Sequence, residues 1–268
     1  MRRHLDTCRA AAPLSAVMAK DTIAVRCVAT CVDEPEEGRQ AYVDGLAEHG
    51  VPVWRALKDD GLLASRCLYE QVSVMKERKG VPAWPYLHLD VMAQGAEPGE
   101  FLRRQGADLT AAGADFGNAH VLCVEIAESM PLGYHEAAEG AESGAAVFTV
   151  EYIDVHEPFL DEYHLTMMRN VGPAFAAMVE AGDVLSFRAL ETKAVVFARD
   201  GLPGWNQIHL IGCRPDRVER LWPDLDAALQ RGAPEGRGIK EFFGPLPEIR
   251  DILRMNVSRR VAALSLDP

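Results

Sequence analysis

The sequence predicts an α+β fold built from two tandem βαββαβ units, and three observations support this prediction. The segment from Trp84 to Leu89 returns as the segment from Trp205 to Leu210, at an offset of 121 residues. Both copies follow the same order of apolar strands, amphipathic helices and turn residues. A chain of 268 residues with 48% hydrophobic and 25% charged residues can form two cores without disulfides or metals.

The repeat extends well beyond the tryptophan segments. Without a gap, residues 52–89 and 173–210 share 12 identities in 38 positions. Glycine, proline and tryptophan are prominent among them, and these residues set turns and large core contacts. The matched residues of the first copy are Pro52, Ala56, Gly61, Ser65, Glu70, Val74, Arg78, Gly80, Pro82, Trp84, His88 and Leu89. Because the period is far longer than that of a solenoid, it indicates a duplicated domain.

Each copy is predicted to run strand, helix, strand, strand, helix, strand. Gly61 and Gly182 stand where the end of a helix favours a left-handed residue. In the first copy we expect strands at 23–32, 62–76 and 119–127 and helices at 36–58 and 97–104. In the second copy we expect strands at 146–155 and 184–198, a last strand within 255–266, and helices at 158–180 and 216–231. The third strand of each copy contains the repeated tryptophan segment or follows it directly. The expected domains are an N-terminal extension at 1–20, repeat 1 at 21–128, a linker at 129–143 and repeat 2 at 144–268.

Composition limits the functional classes. The chain has 28 Lys and Arg against 40 Asp and Glu, a net charge of −12. Such a surface repels nucleic-acid phosphates and anionic membranes, so neither is expected as a partner. Cysteines are dispersed and form no CxxC pair, which indicates free thiols in a cytoplasmic protein.

The order βαββαβ is that of a ferredoxin-like unit, and two tandem copies resemble the dimeric α+β barrel superfamily. Its members include antibiotic-biosynthesis monooxygenase-like proteins, EthD-like proteins, muconolactone-type isomerases and polyketide cyclases. The fragment from Asp161 to His164, followed by Pro173, is similar to the first helix of EthD-like proteins. The first copy keeps only the proline, at Pro52, with Val43 in the histidine position. The resemblance implies one intrachain barrel, and heme-binding relatives such as chlorite dismutase make heme an alternative cofactor.

Alternation along the predicted third strands separates two faces. Leu87 and Leu89 share one face, which we expect to pack under the helices, while Trp84, Tyr86 and His88 share the other. Two tryptophans are costly to expose to solvent. We therefore expect the aromatic and polar faces of the two sheets to meet across an interior pocket.

The repeated histidines, His88 and His209, are the leading catalytic candidates, because a neutral imidazole transfers protons near pH 7. Each could instead bond across its sheet and stabilise the fold, or the two could hold a metal together with a carboxylate such as Asp90. We predict no metal site.

Arg188 occupies the repeat position of Cys67, and an arginine in an apolar cavity favours a carboxylate or enolate. The alternative is an ion pair with Glu191 or Glu151. The expected substrate-binding residues are Trp84, Trp205, Tyr86, Tyr69, Gln207, Ser186 and Cys67. His164 lies on an apolar helix face, where it is either a core residue or, with heme, an axial ligand.

The sequence thus predicts a cofactor-independent enzyme that acts by acid–base chemistry on a small, anionic, aromatic-derived or oxo-acid metabolite. Isomerase, lyase and cofactor-free oxygenase reactions all suit this interpretation. The alternatives are a heme-binding enzyme of the same tandem fold and a non-catalytic protein that binds a small ligand or responds to stress. A homodimer is also possible.

Overall fold

The chain folds into one closed barrel of antiparallel strands. The computed structural model describes residues 24–114, 119–137, 146–232 and 237–267. Within these residues the eight strands are β1 (Arg26–Asp33), β2 (Leu63–Glu77), β3 (Tyr86–Met92), β4 (His120–Glu136), β5 (Val147–Val155), β6 (Ser186–Ala198), β7 (Gln207–Cys213) and β8 (Arg250–Arg260). Their order around the barrel is β1-β3-β2-β8-β5-β7-β6-β4.

Helices cover the outside of both halves. In each half, two α-helices joined by a π-helical turn follow the first strand. The helices are α1 (Arg39–Gly45), α2 (Val51–Asp59), α3 (Pro98–Ala111), α4 (Leu160–Thr166), α5 (Gly172–Glu180), α6 (Leu221–Gly232), α7 (Ile239–Phe243) and α8 (Leu246–Ile249), with the π turns at Leu46–Gly50 and Met167–Val171.

The two halves repeat each other, as the sequence predicted. The strands of the first half lie in the order β4-β1-β3-β2 and those of the second in the order β8-β5-β7-β6, and the halves join at β2·β8 and β4·β6. Gly61 and Gly182 follow the second helix of each half with φ angles of 71° and 73°. These left-handed residues confirm the predicted helix ends.

The boundary between the halves differs from the prediction. Strand β4 continues to Glu136, so the first part of the expected linker at 129–143 is strand. It bends at Leu132, whose φ is 56°, and its register to β6 shifts there. Gly172 of α5 packs against this bend, where an added Cβ would lie 2.3 Å from the Leu132 carbonyl oxygen. The extension at 1–20 and residues 138–143 of the linker lie outside the described residues.

Most of the barrel is buried on both faces of its strands, whereas the ends of β2 at 72–77 and of β6 at 193–198 are exposed. One apolar cluster fills the barrel interior, and two further clusters lie between the strands and the helices of each half. Where both faces are covered, a polar side chain on a strand faces either the interior or a helix, and alternation alone does not decide which. No helix among the described residues is long and apolar enough to span a membrane.

Candidate active site in the second half of the barrel

The repeated histidines lie outside the barrel interior. The interior cluster contains Leu87 and Leu89, so His88 between them points towards the helices. His209 likewise points towards the helices of its own half, because Leu210 beside it lies in the interior. The prediction that both imidazoles face one common chamber is therefore wrong.

In the first half, His88 is enclosed by polar partners. Its Nε2 lies 2.7 Å from the Tyr42 hydroxyl oxygen, and Arg66 donates a hydrogen bond to its Nδ1. Arg66 also forms an ion pair with Asp90, and its guanidinium stacks 3.4 Å from the centre of the Trp54 ring. Burial, with the adjacent guanidinium, holds the pKa of His88 well below its ordinary value. The imidazole is thus neutral and fully used in holding the sheet to its helices.

The second half places different side chains around its histidine. At the repeat positions of Arg66 and Asp90 stand Phe187 and Ile211, which carry no charge. Phe187 stacks on Phe175 with ring centres 4.0 Å apart, where the first half stacks Arg66 on its tryptophan. These apolar substitutions leave an open cleft between the sheet and the helices.

The cleft has a volume of about 20 Å³, enough for about one water molecule, and it is partly open to solvent. Three of its lining side chains are ionisable, namely Glu151, His209 and Arg250, and all three are buried. Its apolar walls are Met167, Val171, Phe175, Phe187, Ile211, Trp222, Leu225 and Phe243. A largely apolar cleft with a few convergent polar groups is the usual form of a small-ligand site.

A chain of polar contacts runs through these ionisable residues. Arg250 Nη1 donates to the Tyr163 hydroxyl oxygen over 3.1 Å, and this hydroxyl lies 3.3 Å from His209 Nε2. Since Tyr163 has one hydroxyl proton and its oxygen already accepts from Arg250, His209 Nε2 is the natural acceptor of that proton. The neutral imidazole then carries its own proton on Nδ1, which lies 4.0 Å from Glu151 Oε2.

The low polarity of the cleft shifts the proton affinities of these groups. Burial, assisted by the Arg250 charge, lowers the pKa of His209 to about 3. Burial raises the pKa of Glu151 above 4.5 and that of Tyr163 to about 12. At neutral pH the cleft thus combines a neutral imidazole, a carboxylate of raised basicity and a fixed guanidinium.

The predicted tryptophans do meet in the barrel interior. The ring centres of Trp84 and Trp205 lie 5.3 Å apart, and both rings contact Tyr152. Trp205 Nε1 donates to Glu125 over 3.0 Å, and Thr192 donates to the same carboxylate. Burial raises the pKa of Glu125 to about 7. The rings pack against each other in this part of the interior core.

Arg188 also lies in the interior, but it pairs with neither Glu191 nor Glu151. It donates to Glu136 through Nε and Nη2, over 3.0 and 2.6 Å, and through Nη1 to the Tyr69 hydroxyl. Cys67 and Ser186 lie on the interior side too, and the Ser186 hydroxyl has no hydrogen-bond partner in the described part of the chain. These four predicted residues share the interior, far from the cleft lining.

Three predicted residues lie outside the interior. Tyr86 and Gln207 occupy equivalent positions on β3 and β7 and point towards the helices, so their expected place in an interior pocket is wrong. His164 lies on α4, where its Nε2 is 3.7 Å from Glu191 Oε2. It does not line the cleft, whose volume of about 20 Å³ holds about one water molecule. The cleft with its aromatic walls in place does not fit a porphyrin.

No group of three or more metal-ligating side chains occurs within the described ranges. The cleft residues Glu151, Tyr163 and Arg250 were missed as a site from sequence. One signal could have found part of it, because Tyr42 and Tyr163 are also 121 residues apart and each contacts the histidine of its half.

No family model and no curated protein matches the sequence. Solved structures do match the fold. A mutant chlorite dismutase from Candidatus Nitrospira defluvii, in complex with cyanide, is 12% identical with a TM-score of 0.48, over 89% of this chain and 91% of that one. An anthrone oxidase-like protein is 13% identical with a TM-score of 0.48, over 89% and 91% of the two chains. Both likenesses are at low identity and extend over most of each chain.

Proposed function

We propose that the protein is an enzyme that moves a proton on a small, largely apolar substrate bearing a carbonyl or carboxylate oxygen. The observation that carries this proposal is the convergence of Glu151, His209 and Arg250 on one apolar cleft. The first half, with the same histidine and tyrosine, has Thr30 in place of the glutamate. In the second half the repeated histidine lies beside a buried glutamate.

Each group has a role that follows from its surroundings. Glu151 is the general base, since its raised pKa makes it a stronger proton acceptor than an exposed carboxylate. Arg250 stabilises the negative charge that develops on the substrate oxygen when the proton leaves the neighbouring carbon. His209, held by Tyr163, places its Nδ1 4.0 Å from Glu151 Oε2, as a polar neighbour of the carboxylate.

Substrate polarity follows from the walls. Phenylalanine and tryptophan side chains line a cleft that holds about one water molecule, so a substrate with one ring enters only when the edge of the cleft moves aside. Trp222, which is 37% exposed, lies at that edge. An aryl-substituted 2-oxo acid has both the enolisable carbon and the anionic group that Glu151 and Arg250 would engage.

The test is exchange of carbon-bound hydrogen for deuterium, measured by NMR with phenylpyruvate in D₂O after subtraction of buffer-catalysed exchange. The unmodified chain is expected to accelerate exchange, and Glu151→Gln to lower this acceleration by about 10²–10⁴. His209→Gln should also lower it, whereas His88→Gln, the matched variant in the first half, should leave the rate unchanged.

Exchange that is equally fast in Glu151→Gln would refute the assigned base. Phenylpyruvate that binds, by quenching of tryptophan fluorescence, without accelerated exchange would instead favour the non-catalytic binding protein. A pH profile adds a second readout, since the rate should rise with pH through a pKa above 4.5 that disappears in Glu151→Gln.

A further inference from the structure

We propose that a second cavity, in the first half of the barrel, binds a small organic carboxylate. It lies where α1 passes over β2, β3 and the end of β8, and it has a volume of about 300 Å³, part of it open to solvent. Its lining residues are Arg39, Gln40, Val43, Glu70, Tyr86, Arg259, Arg260 and Val261. None of them lines the cleft of the second half.

A buried phenol faces this cavity. Tyr86 is 1% exposed, and its hydroxyl has no hydrogen-bond partner among the described residues. Buried hydroxyls are nearly always hydrogen-bonded, so an unmatched one at a cavity wall points to a partner supplied by a ligand. Burial raises the pKa of Tyr86 to about 12, so the hydroxyl keeps its proton and donates. The matching ligand group is an oxygen acceptor.

Guanidinium groups surround the hydroxyl. Arg259 pairs with Glu70 over 2.7 Å, and Arg260 pairs with Asp267. Arg39 donates its Nε proton to a backbone carbonyl oxygen over 3.5 Å, and the buried Glu34 carboxylate lies near it. The guanidinium charges are therefore balanced by carboxylates, and an anionic ligand would be held by hydrogen bonds from the guanidinium groups rather than by an excess of positive charge.

The second half shows that this lining is not a general property of the repeat. Glu70, which faces Arg259 on the neighbouring strand, corresponds to Glu191 of the second half. The strand partner of Glu191 is Glu128. The position of Arg39 is taken by Leu160. A basic wall in one half thus stands where the other half is acidic or apolar, as expected if one copy acquired a separate ligand.

The remaining walls indicate a carboxylate with an apolar body. Val43 and Val261 provide apolar contacts, and Gln40 provides an amide. Guanidinium groups bind carboxylate and phosphate through the same oxygen geometry. The apolar walls favour a carboxylate with an apolar body over phosphate, so benzoate and inorganic phosphate are the two probes that distinguish these ligands.

The experiment is calorimetric titration of benzoate into the full chain carrying Arg250→Gln, which removes the cation of the other cleft. Tyr86→Phe, which deletes only the hydroxyl, and Arg39→Gln are each expected to weaken benzoate binding by about tenfold. Arg103→Gln on α3, where Arg103 is exposed and paired with Glu100, is the matched control and should bind as before. Circular dichroism checks that each variant is folded.

The outcomes are decisive in both directions. Weakening by Tyr86→Phe and Arg39→Gln but not by Arg103→Gln supports the site. No benzoate binding at millimolar concentrations, or binding indifferent to both cavity variants, overturns it. Phosphate that binds in an Arg39-dependent manner where benzoate does not would overturn the carboxylate class. The same Tyr86-dependent component should appear with Arg250 intact.

Discussion

The ion pair between Arg66 and Asp90 gives the most direct test of how the two halves relate. Both side chains are 2% exposed, so each charge is stabilised by its partner rather than by water. Replacement of Arg66 by phenylalanine leaves the Asp90 carboxylate buried and unpaired. The expected loss of unfolding free energy is about 3–5 kcal/mol, and Asp90→Ile should cost a similar amount for the converse reason.

The second half supplies the compensating residues, since Phe187 and Ile211 stand at these two positions. The double variant Arg66→Phe/Asp90→Ile should therefore lie within ~1–2 kcal/mol of the unmodified chain, because an apolar pair often replaces a buried ion pair at little cost. The new phenylalanine can stack on Trp54 as Phe187 stacks on Phe175.

Urea unfolding, followed by tryptophan fluorescence and circular dichroism, measures all four members of this double-mutant cycle. The strong coupling should appear as a double variant far more stable than the sum of the two single losses implies. Additive losses would refute the idea that the ion pair is a local replacement for an apolar pair. Arg103→Gln serves as the surface arginine control.

Three further predictions follow from the buried groups and the tight backbone contacts. The pKa of Glu125 is about 7 in the fold against 4.5 in a free side chain, so stability is fully present below pH 4.5 and declines by ~3 kcal/mol as pH rises through 7. Glu125→Gln should abolish this decline, as measured by urea midpoints at about pH 5 and 8. His88 and His209 should show no NMR titration between about pH 7 and 5, and an imidazole shift in that range would contradict their neutral state. Gly172→Ala should lower the free energy of unfolding by several kcal/mol, because its Cβ would lie 2.3 Å from a backbone oxygen of β4. Gly182→Ala, at a φ of 73°, meets no atom within 4 Å and should lower it by ~1 kcal/mol. Thermal unfolding measures both losses.

The architecture was largely predictable because the duplication shows each turn and core residue twice in the sequence. The repeated glycines specified where each second helix ends, and the repeated tryptophans indicated a shared interior, where Trp84 and Trp205 do meet. The end of β4 was not predictable, because its bend at Leu132 depends on contact with α5. Neither propensity nor periodicity describes that contact.

The location of the site was not predictable from alternation. Strand β3 is buried on both faces, so apolar Leu87 could as well fill the interior as pack under a helix. His88 lies under the helices because Tyr42 and Arg66 satisfy it there. Those partners come from a helix and a neighbouring strand, and only the fold brings them together.

The seams at β2·β8 and β4·β6 have a consequence for the history of such a chain. Either half alone would present two unpaired strand edges, so a single copy needs a companion to close the ring. In a homodimer of single copies both histidine sites are identical, and every mutation changes both. Joining the copies in one polypeptide removes that constraint, so one half can hold the Arg66–Asp90 ion pair while the other has apolar residues at the same positions.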